Sequence, residues 1–429
     1  MGYPPEELAD VVANAPDWIK AGCGDQEYIW PEKGATFPGK ECPDELPDLK
    51  DHANFLTDTL KKNPELYKAN KDKTTKLGVG LAKCIKTGID NKGHPHIKTC
   101  GLVAGDEESY ELFKDIFDPV ISDRHGGYAP DAIHPTDMDV TKVSTTKIDP
   151  TGKYVMTSRC RTGRSVRGFP LPPACGFEQR RELEKVIVKG LNELKGELEG
   201  KYYGLHGSQS MPEAAMDKEK EEDLRSKGNL FQEPDSTLLL SSGCGRHWPD
   251  ARGIYHNDAK NFFVWINEED HMRIISMEPG DNIKAIFQRF ADATSTIEKI
   301  LKDNGTQFSH SEHLGYILAC PSNLGTGLRA GAMVKVPQVS GRADFKELMG
   351  AMKLQARGGA GVDSESKGGV FDISNADRLG HSEVSLVNIF IEGVAQVLKW
   401  EQALEEGKDV EAQINDIKSG AKKVPCTWD

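Results

Sequence analysis

Four arginines occur within nine residues in the segment SRCRTGRSVRG: Arg159, Arg161, Arg164 and Arg167. A strand over residues 154–161 would place Arg159 and Arg161 on the same face of a sheet. Two neighbouring guanidinium groups repel each other unless an anion lies between them, and their planar donors match phosphate oxygens. The segment is therefore a candidate triphosphate-binding strand. The alternative is a basic surface patch that carboxylates balance.

Three consecutive acids form a second candidate site. Glu268, Glu269 and Asp270 come after the apolar run FFVWI, and His271 and Arg273 follow them within three residues. Adjacent carboxylates can bind a cation or take up a proton. The alternative is an ordinary acidic turn at the surface.

Cys320 lies where the apolar run ILAC ends and PSNLGTG begins, so it serves either packing or chemistry. GLRAG then adds Arg329, and QARGGAGVD adds Arg357 in a glycine-rich turn. This turn is no Walker loop because GK[ST] is missing, and we expect a mobile flap there. Arginines, an acidic cluster and a flap together suit a phosphoryl transfer, in which positioning and charge neutralisation carry the rate.

The composition narrows the class of protein. The chain has 429 residues and a formal charge of -13, which favours neither nucleic acid nor an anionic membrane as a partner. Nine scattered cysteines without zinc-site spacing suggest free thiols in a reducing compartment. The first residues lack a basic leader, and no apolar run reaches the ~20 residues that span a bilayer. We therefore expect a cytoplasmic enzyme or binding protein.

Changes in composition and periodicity along the chain predict four segments. The N-terminal end is rich in Pro, Gly, Asp and Glu, and the rest changes from helical to strand-rich. The segments are a partly disordered N-terminal extension (1–46), a helical domain (47–134), a linker (135–153) and a strand-rich domain that begins at residue 154.

Secondary structure that would position the candidates is predicted from apolar spacing. In EESYELFKDIFDPVI, Tyr110, Phe113, Ile116 and Phe117 share one helix face, and Pro119 is expected to end the helix. From residue 154 onward the chain lacks a regular βαβ rhythm, which predicts an α+β fold with a mainly antiparallel sheet flanked by helices. The predicted strands are YVMTSRCRT, STLLLSSG, FFVWINEED, RIISME, LGYILACP and AMVKVP.

Four long motifs, CPSNLGTG, VWINEEDH, SRCRTGRS and HWPDARGIYHN, resemble those of the ATP:guanido phosphotransferases, or phosphagen kinases, and most of all those of the creatine kinases. The resemblance covers about residues 46–407, which implies a catalytic domain over 154–407 and leaves a C-terminal tail (408–429) outside it. It implies a small helical domain, a glutamine-synthetase-like catalytic domain and a homodimer. It also implies reversible transfer of the ATP γ-phosphoryl group, as Mg-ATP, to the guanidine nitrogen of a small substrate, with creatine as the first choice. Nucleic acid and membranes are not expected as partners.

The same resemblance implies roles for individual residues. Glu269, with Glu268 beside it, would accept the guanidinium proton. Cys320 would contact the substrate guanidinium as a thiolate, and Ser322 would lower its pKa by hydrogen bonding. Asp270 would approach Mg2+ through water.

Nucleotide and substrate contacts are implied as well. Ile97 and Val362 would hold the N-methyl group of creatine, and Arg124 in DRHGG is the residue type that creatine kinases carry there. The predicted ATP-binding residues are Ser158, Arg159, Arg161, Arg273, Arg329, Arg357 and Asp372.

Three departures from the creatine kinase pattern keep alternatives open. His96 stands where those enzymes usually have Phe, KGNLF replaces DDHFLF, and Met333 replaces a histidine. His96 suggests a glycocyamine or taurocyamine kinase. The changes near the expected adenine site suggest a catalytically impaired nucleotide-binding or scaffold protein.

Overall fold

The computed structural model describes residues 36–94, 97–358 and 368–421. Most of the predicted N-terminal extension, His96, Val362, and Gly359 and Gly361 of the predicted flap lie outside the described residues, as does the end of the tail. Contacts divide the chain into two compact units. The first unit comprises the chain up to Ala132, Gly163–Ile274 and Thr296–Leu324, and the second comprises Ile133–Thr162, Ile275–Ser295 and the chain from Gly325.

Helices form the regular secondary structure of the described N-terminal part of the first unit. The helices of this unit are α1 (Phe55–Lys62), α2 (Glu65–Asn70), α3 (Leu81–Asp90), α4 (Ser109–Leu112), α5 (Lys114–Arg124), α6 (Phe177–Leu191), α7 (Lys218–Ser226) and α8 (Thr237–Ser242). A long helix, α9 (Ile283–Asp303), is divided between the units. The helices of the second unit are α10 (Pro337–Ser340), α11 (Phe345–Ala351), α12 (Glu383–Glu405) and α13 (Glu411–Lys418).

The strands pair mainly antiparallel, and this confirms the predicted α+β class. They are β1 (Val155–Arg164), β2 (Gly200–Gly204), β3 (Gly253–Asn257), β4 (Phe262–Ile266), β5 (Met272–Pro279), β6 (His310–Ser311), β7 (Gly315–Tyr316), β8 (Arg329–Lys335), β9 (Leu354–Gly358) and β10 (Val370–Asn375). In the first unit β3 lies between β2 and β4. In the second unit the order is β1-β8-β10-β9.

Helix α1 begins at a capping box. The Asn54 side chain accepts a hydrogen bond from Thr57 N at 2.9 Å and donates one to Gly88 O on α3 at 2.9 Å. One residue therefore satisfies the end of α1 and joins it to a neighbouring helix. Helix α3 also packs closely against the backbone of Gly101, because a Cβ on Gly88 would lie only 2.1 Å from Gly101 O.

The apolar face predicted around Phe113 is confirmed, but the predicted end at Pro119 is wrong. Phe113 and Phe117 are completely buried, and Tyr110 is 5% exposed. The chain breaks at Phe113 instead, and α5 runs through Pro119 to Arg124. Proline removes one backbone donor, but buried side chains before and after it, such as Phe117 and Val120, hold the turn in place.

The predicted strand STLLLSSG is also wrong, because residues 237–242 form α8. The Ser236 side chain accepts a hydrogen bond from Leu238 N, and Gly243 ends the helix with a φ of 86°. An N-cap serine and a left-handed glycine are local helix signals that the apolar Leu run obscured.

The second unit has a single large hydrophobic cluster between its sheet and its helices. Phe287 and Phe290 from α9, Phe390 and Trp400 from α12, and Val334 from β8 are all at most 1% exposed. This core fixes the strands whose opposite faces carry polar side chains, since alternate residues of a strand point to opposite faces. Among the described residues, no helix has both the length and the apolar character to cross a bilayer.

Glu184 on α6 gives the first unit a specific pH dependence. The carboxyl is fully buried and accepts a hydrogen bond from Tyr202, and burial raises its pKa from 4.5 to about 7. The folded state therefore holds a proton that the unfolded chain releases between pH 4.5 and 7. Stability from this group is complete below pH 4.5 and is lost as the pH rises through 7, by about 3 kcal/mol.

Glu184→Gln is expected to remove that decline, because glutamine keeps the shape and stays neutral. The measurement is the free energy of unfolding in urea at pH 5 and at pH 8 for the wild type and the variant. Glu182→Gln, on the exposed side of the same helix, is the control. An equal pH dependence in wild type and Glu184→Gln would contradict the assignment.

Candidate active site

The turn after β4 carries three carboxylate side chains and fixes their position. Asn267 has a φ of 57°, which Asn tolerates better than most residues. Its backbone N–H donates to His271 O at 3.0 Å, and its side chain donates to Ala251 O at 2.8 Å. The turn that carries Glu268 and Glu269 is therefore held from both its backbone and its first side chain.

Arg273 forms ion pairs with all three carboxylates of this turn. Its Nη2 atom lies 2.7 Å from Glu269 Oε2 and 2.7 Å from Asp270 Oδ2, and its Nε atom lies 3.6 Å from Glu268 Oε2. One positive charge thus faces three negative charges, so the cluster keeps an excess of negative charge. The side chains of Glu268 and Glu269 are 24% and 30% exposed, so they remain accessible to a cationic ligand.

Asp270 connects this turn to the segment of Cys320. It is fully buried, and its Oδ1 accepts a hydrogen bond from Ala319 N at 3.0 Å. Burial raises the pKa of Asp270, and Arg273 opposes that rise. Position 163 must be a glycine to leave space beside the Asp270 carboxylate, because a Cβ on Gly163 would lie 3.0 Å from Asp270 Oδ2.

Cys320 lies at the start of a short 3-10 helix, Pro321–Asn323, with its sulfur 3.1 Å from Ser322 Oγ. A hydrogen bond from Cys100 is the largest cause of a lowered pKa at Cys320; burial and Glu269 oppose it, and Ser322 adds to it. The cysteine and the carboxylates form one cluster, since Asn323 Nδ2 also donates to Glu269 Oε1 at 3.4 Å. The Cys320 thiol is therefore more acidic than an ordinary cysteine, although Glu269 opposes this.

The structure describes two of the three predicted substrate contacts, Arg124 and Ile97. Arg124 is the last residue of α5, and its positive charge opposes the rise in the pKa of Cys100 that Cys320 and burial cause, which places Arg124 near that thiol. Ile97 is 45% exposed. Val362 and His96 lie outside the described residues.

His271 is part of the scaffold of the carboxylate turn. Its Nδ1 atom accepts from Val166 N at 3.0 Å, and its Nε2 atom donates to Pro170 O at 2.9 Å. Burial lowers its pKa to about 4. The ring is therefore neutral at physiological pH, with both nitrogens engaged.

The predicted arginines of the second unit converge on adjacent strands. In the register, Arg161 on β1 faces Arg329 on β8, and Arg357 on β9 faces Asp372 on β10. Arg159 lies two residues before Arg161 and projects from the same side of the strand. Like charges that face each other across strands destabilise a sheet unless an anion compensates them.

Asp372 is the carboxylate of this arginine cluster. Its Oδ2 accepts hydrogen bonds from Arg159 Nη2 and, at 2.8 Å, from Arg329 Nη2. Burial alone would raise its pKa, but Arg159, Arg329 and Arg161 lower it below the ordinary value. Burial and the neighbouring arginines lower the pKa of Arg329 to about 10, against the opposing effect of Asp372. Four guanidinium groups and one carboxylate leave a net positive site for a polyanion.

The remaining polar residues of β1 and its continuation have other contacts. The Ser158 hydroxyl donates to Gly280 O at 2.7 Å and alternates with the arginines along the strand. Arg164 donates to Gly163 O, and its guanidinium carbon lies 3.4 Å from the centroid of the Tyr316 ring. Arg167 pairs with Glu107 at 3.3 Å. Of the four arginines in SRCRTGRSVRG, the cluster therefore contains Arg159 and Arg161.

Magnesium fits this donor set only as a partner of phosphate. Carboxylate oxygens suit Mg2+, which keeps several waters in most sites. Asp270 is already engaged by Ala319 and Arg273. Over the described ranges, no group of three or more His, Cys, Asp or Glu side chains is arranged to hold a metal. The acids suit a metal held mainly by nucleotide oxygens and reached through water.

Three residues of the site were not predicted from the sequence. Asn267 sets the turn, Asn323 contacts Glu269, and Cys100 lies beside Cys320. A polar residue that ends an apolar strand is a signal that could have identified Asn267. Nothing in the spacing of Cys100 and Cys320 indicates that they are neighbours.

Comparison with known proteins agrees with this chemistry. The family "ATP:guanido phosphotransferase, C-terminal catalytic domain" matches residues 182–404, and the corresponding N-terminal domain matches residues 50–122. The creatine kinase M-type of Gallus gallus is 50% identical over 372 residues, which cover 86% of this chain and 94% of the relative.

Solved structures agree as well. A lombricine kinase crystal structure has a TM-score of 0.79 and 42% identity, and the match covers 87% of this chain and 99% of that one. The duplicated taurocyamine kinase from Schistosoma mansoni with bound transition state analog components has a TM-score of 0.74 and 36% identity, over 83% of this chain and 47% of that one. With both domain models matched and half of the aligned residues identical to those of a relative along most of both chains, this protein belongs to the ATP:guanido phosphotransferase family.

Proposed function

We propose that the protein is a creatine kinase that transfers the γ-phosphoryl group of ATP reversibly to the guanidine nitrogen of creatine. The observation that carries the proposal is the pairing of charge types. The first unit has an acidic cluster with a low-pKa thiol, which suits a cationic guanidinium. The second unit has an arginine cluster, which suits the phosphates of a nucleotide.

In the forward direction a guanidinium must lose a proton before its nitrogen can attack phosphorus. Glu269 is the proposed acceptor, because Arg273 and Asn323 orient its two oxygens and part of the side chain is accessible. As the N–P bond forms, the bond between the γ-phosphorus and the bridging oxygen breaks and ADP leaves. Glu268 adds negative charge that holds the rest of the guanidinium.

The thiolate of Cys320 is proposed to contact the substrate guanidinium as a charge partner, and no covalent bond to it is required. The lowered pKa supports this role, since a neutral thiol would attract the cation much less. Ser322 supports the thiolate by hydrogen bonding. Ile97, Val362 and Arg124 remain proposed substrate contacts.

On the nucleotide side, Arg159, Arg161, Arg329 and Arg357 are proposed to bind phosphate oxygens, and Asp372 to hold two of these arginines in place. The proposal also includes Ser158 and Arg273 as nucleotide contacts. Mg2+ bound to ATP would neutralise phosphate charge, and Asp270 would reach it through water.

Other guanidines remain alternatives. His96 places a polar ring where creatine kinases usually have Phe, and the solved relatives include a taurocyamine kinase and a lombricine kinase. One methyl group contributes only about 1 kcal/mol of burial, so recognition of the creatine N-methyl group discriminates modestly. A glycocyamine or taurocyamine kinase is therefore the second candidate, and an impaired nucleotide-binding or scaffold protein is the third.

Initial rates with Mg-ATP test these candidates. The substrates are creatine, guanidinoacetate, taurocyamine, lombricine and arginine, each varied to give kcat/KM. We expect the highest value for creatine. A higher value for another guanidine would replace creatine, and no turnover with any of them would favour the scaffold.

The wider setting is also a proposal. We infer a homodimer from the creatine kinase resemblance and the cytoplasm from the free cysteines of the described residues. The five-segment division belongs to the proposal too, and the two family matches fall inside the helical segment (47–134) and the catalytic segment (154–407).

A further inference from the structure

The sheet face that carries the arginine cluster also carries two neutral polar side chains, Ser374 on β10 and Gln355 on β9, which are partners in the strand register. Ser374 lies two residues after Asp372 on its strand. Gln355 likewise lies two residues before Arg357. Because alternate residues of a strand share a face, both side chains project from the same side as the cluster. The opposite side belongs to the hydrophobic cluster, in which Ile373 is completely buried.

Ser374 contacts Arg329 in the interior of this face. The Arg329 Nε atom donates to Ser374 Oγ at 3.0 Å, and its Nη2 atom donates to Asp372 Oδ2 at 2.8 Å. Ser374 is completely buried, and Arg329 is 4% exposed. Two hydrogen bonds from different nitrogens of one planar group fix both its position and its rotation. The bond to Asp372 alone would leave the guanidinium plane free to turn about a single contact.

Gly331 of β8 leaves the space that Ser374 occupies. In the register, Gly331 faces Ser374 on one side and Arg159 on the other. A Cβ on Gly331 would lie 3.1 Å from Ser374 Cβ and 3.4 Å from Asp372 Oδ1. A side chain at position 331 would therefore press against the serine and disturb its hydrogen bond with Arg329.

Gln355 makes a similar contact with Arg357. Its Oε1 atom accepts a hydrogen bond from Arg357 Nη2 at 3.2 Å, and its Nε2 atom donates to Asn375 O at 3.4 Å. The backbone of β10 thus holds the amide while its oxygen faces the arginine. Since serine and glutamine carry no charge, they orient the two guanidinium groups without reducing the positive charge that a polyanion meets.

We propose that Ser374 and Gln355 are positioning residues for the nucleotide site, Ser374 through Arg329 and Gln355 through Arg357. The inference rests on the proposed function, in which these arginines bind phosphate oxygens. Neither printed bond of Arg329 uses its Nη1 group, which is the group assigned here to a phosphate oxygen. Orientation matters for the rate, because a displacement of about 1 Å at a reacting centre can cost about 10²-fold.

The test uses the full chain with Ser374→Ala or Gln355→Met, each alone and combined with Arg329→Met or Arg357→Met, respectively. Ser419→Ala is the matched control, because Ser419 is an exposed serine of the same unit whose hydroxyl also donates to one acceptor, at 3.2 Å. Calorimetry gives the Kd of inorganic tripolyphosphate. Initial rates with varied Mg-ATP and a saturating guanidine give kcat/KM, and thermal unfolding gives Tm.

We expect Ser374→Ala to raise the Kd of tripolyphosphate about 5-fold and to lower kcat/KM for Mg-ATP about 10-fold, because binding must then restrict a rotation that the serine prevents. Gln355→Met, at a partly exposed side chain, should change both quantities in the same direction by a smaller factor. In the Arg329→Met background, Ser374→Ala should add less than about a twofold change, since the serine acts only through that arginine.

Three results would overturn the positioning role. Ser374→Ala could have equal effects with and without Arg329, or it could lower Tm while Kd and kcat/KM stay unchanged; either result would assign the serine to the fold alone. A wild type that does not bind tripolyphosphate would remove the anion site itself. A wild type that binds tripolyphosphate but phosphorylates no guanidine would overturn the proposed kinase function, and the comparison of Kd values would still decide the role of Ser374.

Discussion

Glu269→Gln is expected to lower kcat by about 10²–10⁴-fold, because glutamine cannot accept the guanidinium proton. The substitution preserves the shape of the side chain and its contact with Arg273, whose Nη2 atom lies 2.7 Å from Glu269 Oε2. Glutamine has a single acceptor oxygen, so it keeps the bond from Arg273 only, and the Asn323 side chain must present its amide oxygen to the new NH2 group. The loss should therefore fall on the chemical step and leave the fold and nucleotide affinity nearly unchanged.

Two measurements separate these effects. Steady-state rates give kcat, and a titration of Mg-ATP by calorimetry gives its Kd. Glu298→Gln is the control, because Glu298 pairs with Lys302 at 2.9 Å on α9 and has no role in the site. Turnover of Glu269→Gln within tenfold of the wild type would remove Glu269 from the proton-accepting role.

The strand whose side chains alternate strictly was predictable from the sequence, and so was the arginine-bearing face that it presents. Alternation in SRCRTGRS placed Arg159 and Arg161 on one face, and the structure confirms that both approach Asp372. Asp372 is distant from them in sequence, so only the family resemblance suggested it. The long motifs identified which residues form the site, and the local periodicity identified the strand that carries Arg159 and Arg161.

Tertiary contacts explain the remaining failures. Packing of Phe117 and Val120 carries α5 through Pro119, which a local rule treats as a terminus. Leu238–Leu240 suited a strand until the caps at Ser236 and Gly243 were considered. The contact of Cys100 with Cys320 depends on the folded positions of segments more than two hundred residues apart, and the sequence has no local signal for it.

Arg329 is the residue of the arginine cluster whose replacement should affect stability and activity most differently. It is 4% exposed, donates to Asp372 Oδ2 at 2.8 Å and to Ser374 Oγ at 3.0 Å, and faces Arg161 across the strands. Its pKa is lowered to about 10, with burial as the largest cause. The folded protein therefore disfavours this charge by about 3 kcal/mol relative to the unfolded chain.

Arg329→Met is consequently expected to leave the free energy of unfolding unchanged or to raise it. Asp372 keeps Arg159 as a partner, so the substitution leaves no unpaired carboxylate. Activity should respond in the opposite direction, because a guanidinium on the transferred phosphoryl group contributes about 10³-fold or more to the rate. We expect kcat/KM for Mg-ATP to fall by about that factor.

Urea denaturation and steady-state rates are the primary measurements, and the shift of Tm on addition of inorganic tripolyphosphate reports on the anion site alone. The wild type should gain more Tm from tripolyphosphate than the variant, since the anion relieves the repulsion among four guanidinium groups. Arg342→Gln is the control, because Arg342 pairs with Asp344 and Glu411 outside the cluster. A variant that unfolds more easily but keeps its kcat/KM and its tripolyphosphate shift would show that Arg329 supports the sheet and does not bind the nucleotide.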